Sequence, residues 1–331
     1  MLCDGGRIFS TGLNQCGQLG LGIRASSMVD LVEIKSLRGR AASAACGASH
    51  SVVVCNDGSV YGMGYNGWGQ LGLGNVQVRV NEPERIPLED TDVVQAACGE
   101  QHSLLLRRDG EVLVMGHNHF GQLGLGDTQN VSYAMRLLNF KRPVACVVCG
   151  TAHSFLLTRK RRVFCMGLND NGQLGLGAIT VPVMRPTELV FFKGEAASIS
   201  CGGNHTYVVV RGGRVFGFGE NQHGQLCDGP HDDIVYPQEL TAFAGLVQYV
   251  VGGSDSHAFI VGMDGKVHGV GNNAHGQLCM GHAENVSGPM EVPMEGVNFI
   301  TSISCGKNFT MLVEATLLVK PVVAELKREE V

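Results

Sequence analysis

The sequence is poor in charge and in tryptophan, and no apolar run is long enough to cross a membrane. No stretch reaches the ~18 uninterrupted apolar residues of a membrane helix. Acidic residues outnumber lysine and arginine by 30 to 25, so the chain lacks the overall positive charge that attracts nucleic acid. Nucleic acid is therefore not expected to be the main partner.

The first residues also lack the basic region and apolar run of a secretory signal. Twelve cysteines are spread along the chain without the dense spacing of a small disulfide-bonded domain. We therefore expect reduced thiols and a cytoplasmic or nuclear protein.

Glycine, by contrast, is abundant, and it marks a repeat. Among 47 glycines, the triplet Gly-Gln-Leu recurs with successive separations of 52, 52, 51, 52 and 52 residues. The six copies begin at Gly17, Gly69, Gly121, Gly172, Gly224 and Gly276. A fixed period near 50 indicates a solenoid, a propeller or an array.

A second motif, Cys-Gly-x-x-His, recurs between these triplets. It runs from Cys46 to His50 and again from Cys98, Cys149 and Cys201, and it decays in the last two repeats. Each histidine precedes a short apolar run, a turn and another short apolar run, which predicts a β-hairpin. Kelch and WD repeats have similar periods but depend on recurrent tryptophan, and this chain has only Trp68.

The combination of Gly-x-Asn-x-x-Gly-Gln-Leu-Gly-Leu-Gly with Cys-Gly-x-x-His resembles the regulator of chromosome condensation repeat. The resemblance reaches to Val313 and implies an all-β fold, a β-propeller with four-stranded blades. A plant member of the family senses light through clustered tryptophans, which a chain with one tryptophan cannot provide.

The repeats predict six blades rather than the seven usual in the family. The chain opens in mid-repeat at Gly5 to Phe9 and closes in the complementary half at Cys305 to Val313. We expect these half-repeats to pair and close one domain over residues 1–315, followed by a C-terminal extension at 316–331. A seven-bladed ring, truncated or with a degenerate unit at 316–326, is the alternative.

Residues that recur in every repeat are expected to be structural. Within one repeat, Cys98 and His102 are four residues apart on a strand, or ~13 Å, which is too far for a shared zinc ion. No catalytic set, metal site or cofactor site rises above the repeat. We therefore expect no enzyme activity.

The turns of the predicted hairpins carry uneven charge. Three successive repeats are basic while their neighbours are acidic or neutral. The structural explanation is solvated turns; the functional one is a basic face for an acidic partner. Its candidate residues are Arg107, Arg108, Arg159, Lys160, Arg161, Arg162, Arg211 and Arg214.

At the opposite end of the strands, the loops of the second and third Gly-Gln-Leu copies are rich in aromatic residues. Packing of each loop on its neighbour would explain them, and so would a partner-binding hot spot. The candidate residues are Tyr65, Trp68, His117, His119 and Phe120.

These features predict a non-catalytic protein-interaction propeller, an adaptor or scaffold with two chemically different faces. The resemblance implies an alternative, guanine-nucleotide exchange on a small GTPase of the Ran type, which the founding member of the family performs. Spacings of 51 and 52 residues leave little room for the inserted wedge that exchange would need. Protein partners are expected, with no cofactor.

Overall fold

The computed structural model describes residues 2–179, 182–226, 231–243, 247–294, 300–306 and 310–314. Over these ranges the chain forms β-strands and short 3-10 helices, and no α-helix. The predicted all-β fold is confirmed. The expected C-terminal extension and the alternative seventh unit lie outside the described residues.

Five blades are complete antiparallel sheets of four strands in chain order. Blade 1 holds β4 to β7 (Ala41–Cys46, His50–Cys55, Val60–Gly64, Val80–Arg85), and blade 2 holds β8 to β11 (Val93–Cys98, His102–Arg107, Val112–Gly116, Val131–Arg136). Blade 3 holds β12 to β15 (Val144–Cys149, His153–Thr158, Val163–Gly167, Val183–Glu188), and blade 4 holds β16 to β19 (Ala196–Cys201, His205–Val210, Val215–Gly219, Ile234–Glu239). Blade 5 holds β20 to β23 (Val247–Gly252, His257–Gly262, Val267–Gly271, Val286–Glu291).

The remaining strands come from the two ends of the chain. A three-stranded sheet contains β1 (Leu2–Cys3), β2 (Arg7–Leu13) and β3 (Ser27–Glu33), and a hairpin contains β24 (Ile300–Cys305) and β25 (Thr310–Glu314). Single 3-10 turns lie at Asp4–Gly6, Lys35–Leu37 and Val190–Phe192. With these elements the chain is a six-bladed β-propeller, as the repeat predicted.

The predicted pairing of the two terminal half-repeats needs correction. The edge of β2 is occupied by β1, with Leu2 opposite Ile8 and Cys3 opposite Arg7. Within the described residues β25 pairs with β24 alone. The reason is local, because Leu2 and Cys3 occupy the repeat positions of Val54 and Cys55 and complete their own hairpin with β2.

The first strand of each blade contacts the first strand of the next, from β4 to β8 and on to β12, β16, β20 and β24. These strands therefore line the axis of the propeller. The hydrophobic core lies between blades rather than within them. One cluster joins Phe155 and Leu174 of blade 3 to Val208 and Phe218 of blade 4, as expected for the leucine of Gly-Gln-Leu.

The chain direction gives the propeller two different surfaces. The loop face carries the turns between first and second strands and the long loops between third and fourth strands. The hairpin face carries the turns between second and third strands and the connections from one blade to the next. The prediction that the two kinds of loop lie on opposite faces is confirmed by the antiparallel strand order.

Two glycine positions explain why the motif tolerates no side chain there. Gly116 ends β10 with φ +107°, and a Cβ on it would lie 2.6 Å from the carbonyl oxygen of Gln101. A Cβ on Gly99 would lie 2.1 Å from Cε1 of His102. The glycine of Cys-Gly-x-x-His therefore makes room for the imidazole, and the one after the third strand permits the reversal into the loop.

Candidate functional site

The aromatic residues of neighbouring blades meet in one cluster on the loop face. The ring centroid of Trp68 lies 4.9 Å from that of His117 and 5.8 Å from that of His119, both edge to face. His117 lies 4.4 Å from His119 and 6.0 Å from Phe120. We call these four residues the aromatic cluster; it joins blade 1 to blade 2.

The aromatic cluster is only partly covered. His119 is exposed, while Trp68, His117 and Phe120 are half-buried. Tyr65 instead folds back on its own loop, with its hydroxyl 2.2 Å from where a Cβ of Gly67 would lie. Among the described residues no ring contact links Tyr65 to the cluster, so the structure brings together four of the five predicted residues.

His117 is held in a neutral form. Nε2 of Gln122 donates a hydrogen bond of 3.0 Å to Nδ1 of His117. Burial, and then the neighbouring His119, lower the pKa of His117 below its usual value. His117 therefore contributes an uncharged ring to the aromatic cluster near neutral pH.

On the hairpin face, three of the eight predicted cations are engaged in ion pairs. Arg107 is buried and lies 2.7 Å from Asp92, 2.5 Å from Asp90 and 3.2 Å from Glu111. The hydrogen bond to Asp92 is the main cause of its raised pKa. Such a buried guanidinium stabilises the fold and is not available to a partner.

The other two engaged cations lie nearer the rim. Arg162 pairs with Glu188, and Arg214 pairs with Glu239 at 3.0 Å. Each guanidinium also lies over a phenylalanine ring of its own blade, at 5.9 Å and 5.5 Å from the centroid. Their charges are therefore largely compensated.

Five predicted cations have no carboxylate within ion-pair distance among the described residues: Arg108, Arg159, Lys160, Arg161 and Arg211. Arg161 is half-buried, and its Nη1 donates to the carbonyl of Ala196 at 3.5 Å. The other four are exposed. Nη2 of Arg159 donates to the carbonyl of Arg108 at 2.6 Å, so the turns of blades 2 and 3 touch.

Beside the turns of blades 2 to 4, sequence reasoning missed three exposed cations: Lys141, Arg142 and Lys193. They lie in the connections that leave blades 2 and 3. The backbone N–H of Arg159 donates to the carbonyl of Pro143 at 2.9 Å, which ties a connection to a turn. The strand order could have predicted these cations. In an antiparallel four-stranded blade, the connection after the fourth strand leaves on the same face as the turn between the second and third strands.

The two faces differ in charge. In the described residues, the segments 108–111, 137–143, 159–162, 189–195 and 211–214 of the hairpin face contain ten lysines and arginines and three carboxylates, Asp109, Glu111 and Glu195. The described loops of the opposite face contain eight carboxylates and two arginines, Arg24 and Arg79. The propeller therefore has a basic hairpin face over blades 2–4 and an acidic loop face, which we call the basic face and the acidic face.

The recurrent histidines lie between blades. Nε2 of His50 is 2.9 Å from Oγ of Ser103, and Nε2 of His102 is 2.9 Å from Oγ of Ser154. Each hydroxyl donates to a glutamine carbonyl of the preceding blade, Gln70 at 2.8 Å in the case of Ser103. The hydroxyl must therefore accept from Nε2–H, which fixes the tautomer of the imidazole.

Blade 5 breaks this pattern. Ala258 stands where the other blades have serine or threonine, and neither ring nitrogen of the buried His205 has a hydrogen-bond partner in the described part of the chain. The hydroxyl of Tyr207 reaches the carbonyl of Gln225 instead, at 2.5 Å. Tyr207 thus replaces the missing hydroxyl for the glutamine but not for the histidine.

The recurrent asparagines and glutamines shape the loops, as the repeat predicted. Oδ1 of Asn66 accepts from the backbone N–H of Leu71 at 2.9 Å, and Oε1 of Gln70 accepts from that of Trp68 at 3.1 Å. The same two bonds recur in blade 2 from Asn118 and Gln122. The repeat positions are thus occupied by structural hydrogen bonds.

Burial disfavours the thiolate form of three cysteines on the propeller axis. Burial raises the pKa of Cys201 and Cys305 to about 12 and that of Cys149 still further. No group of three or more metal-binding side chains is present in the part of the chain that the structure describes. Nor does any helix within the described ranges have the length and apolarity needed to span a bilayer.

Comparison with known proteins agrees with the fold. Residues 1–312 match the RCC1-like domain. The ultraviolet-B receptor UVR8 of Arabidopsis thaliana is 30% identical over 316 residues, which cover 94% of this chain and 71% of the receptor. The probable E3 ubiquitin-protein ligase HERC6 of Homo sapiens is 35% identical over 82% of this chain, but the chain spans only 27% of that ligase.

Among solved structures, human WBSCR16 superposes with a TM-score of 0.84 at 26% identity, covering 95% of this chain and 83% of WBSCR16. This superposition and the match over nearly the whole chain agree with the propeller fold. The chain belongs to the RCC1-like domain family of β-propellers.

Proposed function

We propose that the chain is a non-catalytic protein-interaction module whose basic face docks an acidic surface of a partner protein. The observation that carries the proposal is a set of seven cations without an ion pair in the described turns and connections around blades 3 and 4, beside one carboxylate, Glu195: Lys141, Arg142, Arg159, Lys160, Arg161, Lys193 and Arg211. Exposed like charges in neighbouring turns steer an oppositely charged partner and favour its association.

The basic face is held in place before a partner arrives. The turn of blade 3 is bonded to the connection before it through Arg159 N–H and Pro143 O, and the turn of blade 4 through Arg211 N–H and Glu195 O at 3.0 Å. A face that is already ordered loses little conformational entropy on binding. The backbone arrangement thus supports a docking role.

The aromatic cluster supplies a second contact surface on the acidic face. Trp68 and Phe120 are partly exposed large rings, which are enriched in interface hot spots. An adaptor needs two surfaces that select different partners, and the two faces differ in both charge and aromatic content. This supports the scaffold role over a single-partner role.

The absence of catalysis is part of the proposal. The buried histidines have lowered pKa values, and four of them are hydrogen-bonded to hydroxyls of the next blade. Raised thiol pKa values disfavour the thiolate that nucleophilic chemistry requires. Eleven described cysteines are unpaired, which supports a reducing compartment such as the cytoplasm or nucleus.

The test is capture of partners by three proteins of matched design. The reversed variant carries Arg159→Glu, Lys160→Glu and Arg211→Glu. The control carries Arg24→Glu, Lys35→Glu and Arg85→Glu, which changes net charge equally at exposed residues outside the basic face. Partners bound by the wild type and the control but lost from the reversed variant support the proposal; equal capture by all three contradicts it.

Guanine-nucleotide exchange remains the alternative, and the same protein tests it. Ran loaded with a fluorescent nucleotide is mixed with catalytic amounts of the chain, and nucleotide release is followed by fluorescence. We expect the spontaneous rate. Acceleration of more than ~10-fold, which corresponds to ~1.4 kcal/mol in the barrier, would replace the adaptor proposal.

A further inference from the structure

An open groove lies on the basic face beside blade 2. It comprises two adjoining cavities of about 370 and 480 Å³. One wall is the turn of blade 2 from Asp109 to Val112, and the other is the connection from Leu138 to Arg142. The groove therefore opens between two segments that belong to the hairpin face.

The connection contributes two apolar side chains to the groove, Leu138 and Phe140. Leu138 is 73% exposed although the other leucine of the connection, Leu137, is 5% exposed and belongs to the core. Phe140 is half-buried and packs edge to face on Phe164, at 4.8 Å between centroids. The fold thus needs Leu137 and Phe140, whereas the exposed side chain of Leu138 stabilises nothing in the core.

Of the two carboxylates beside the groove, only Glu111 is paired with cations. Glu111 lies 3.2 Å from Arg107 and 3.7 Å from Arg136. Asp109 accepts the backbone N–H of Glu111 at 2.9 Å and so caps the turn. Glu111 is thus engaged by arginines, which leaves Asp109 as the one unpaired carboxylate of this wall against three cations, Lys141, Arg142 and Arg159, in the described structure.

Those cations have no acidic partner in the described structure. Lys141 and Arg142 are exposed, and the guanidinium of Arg142 is positioned over the Phe164 ring, 4.9 Å from its centroid. Arg159 joins them from blade 3, because its backbone N–H is bonded to Pro143. A ligand that fits this groove must combine negative charge with an apolar side chain.

We propose that the groove receives one apolar side chain of an acidic peptide segment, whose carboxylates pair with Lys141, Arg142 and Arg159. The inference rests on the proposed docking role of the basic face and names the chemistry of the segment that docks there. A bare phosphate or a polyanion would use the cations but leave Leu138 exposed. An apolar residue flanked by Asp and Glu would use both.

The test uses two synthetic peptides and fluorescence anisotropy. Both are fluorescein-labelled heptapeptides of Asp and Glu, with leucine at the centre of one and alanine at the centre of the other. We expect the leucine peptide to bind the wild-type chain about tenfold more tightly, since partial burial of three extra carbons gives a factor of this order. Leu138→Ser should abolish this preference while the alanine peptide keeps its affinity.

Val190→Ser is the matched control, because Val190 is 67% exposed in the corresponding connection after blade 3. It should leave the preference intact. Equal binding of the two peptides, a preference that survives Leu138→Ser, or no binding of either peptide would each overturn the groove proposal. If the basic face acted through charge alone, the wild-type chain would bind both peptides equally and the reversed variant would bind neither. That result would support the docking role of the basic face and contradict the groove proposal.

Discussion

Nε2 of His50 donates to the hydroxyl of Ser103 across the boundary between blades 1 and 2, at 2.9 Å. Both side chains are buried, with 1% and 0% of their surface exposed, so each satisfies a group that water cannot reach. Because the same bond recurs at His102, His153 and His257, it joins blades along the ring. Among the described histidines of the motif, His205 lacks this bond, and it gives the first prediction.

Ala258→Ser should stabilise the protein. The new hydroxyl would accept from Nε2 of His205 and share the carbonyl of Gln225 with Tyr207, and one net hydrogen bond contributes about 1 kcal/mol. The free energy of unfolding, measured in urea, should rise by this amount. Ala97→Ser is the control, because Ala97 is also buried on a strand but has no unpartnered histidine beside it. An equal effect of both substitutions would contradict the prediction.

Tyr207→Phe should destabilise the protein by about 1–2 kcal/mol, because it leaves the buried carbonyl of Gln225 without the phenol donor. In the Ala258→Ser background the loss should be smaller, since the serine can then donate to that carbonyl. A double-mutant cycle measures the difference. Additive effects would show that the two hydroxyls do not serve the same acceptor.

Stability should fall steeply on acidification. Burial lowers the pKa of His102, His153 and His205 to about 3 and that of His50 and His257 to about 4, from 6.5. Below pH 6.5 the unfolded chain therefore binds protons that the folded chain does not, and each histidine removes about 1.4 kcal/mol of stability per pH unit. The loss of stability continues as the pH falls, until the pH reaches the pKa of each histidine in the folded protein.

The matched variant is His102→Gln, whose amide can still donate to Ser154. Urea unfolding at several pH values between 4 and 7 should show a shallower slope than the wild type, by one proton. An unchanged slope would mean that His102 is protonated within the folded protein. The slope above pH 7 serves as the reference, because there the histidines are neutral in both states.

Arg107 and Arg108 are adjacent in sequence and should behave oppositely. Arg107→Ala removes a buried side chain and leaves three partly exposed carboxylates without their shared cation, and should cost about 1–2 kcal/mol of stability. Arg108→Ala removes an exposed cation and should change stability by less than about 0.5 kcal/mol. Binding of an acidic partner should be weakened more by Arg108→Ala than by Arg107→Ala. Thermal unfolding and partner affinity, measured on both variants, show whether Arg107 is the structural cation and Arg108 the partner-binding one.

Trp68→Ala tests the aromatic cluster. As a hot spot, Trp68 should contribute about 2 kcal/mol or more to binding of a partner on the acidic face, with little change in stability. Isothermal titration and thermal unfolding separate the two effects. Tyr65→Ala is the comparison, because Tyr65 lies apart from the cluster. Loss of stability with unchanged binding would make Trp68 a packing residue.

The sequence predicts the features that recur in every repeat, namely the number of blades and the loops that become neighbours. Constant separation of Gly-Gln-Leu was sufficient for the blade count, and the placement of Trp68 and His117 in equivalent loops of adjacent repeats was sufficient to bring them together. These features depend on local chemistry repeated at fixed spacing. Such patterns need no knowledge of contacts between distant segments.

The basic face shows where this reasoning stops. In the sequence, Arg107 is one more cation of a turn. In the structure it ends a strand and forms ion pairs with Asp90 and Asp92, which precede the blade, and with Glu111 at the end of the turn. Lys141 and Arg142 reach the same face from a connection that has no repeat signature. At the chain start, Leu2 pairs with Ile8 because a near hairpin forms at a lower entropic cost than a distant strand pairing.

The histidine bonds also give the ring a direction. Each histidine depends on the hydroxyl of the following blade, whereas that hydroxyl needs only a carbonyl or water. At each of these boundaries one hydroxyl of the following blade serves two groups of the preceding blade, the imidazole and the glutamine carbonyl. Loss of that hydroxyl should therefore leave two polar groups of the preceding blade without a partner, whereas loss of the histidine should leave the hydroxyl with its carbonyl acceptor.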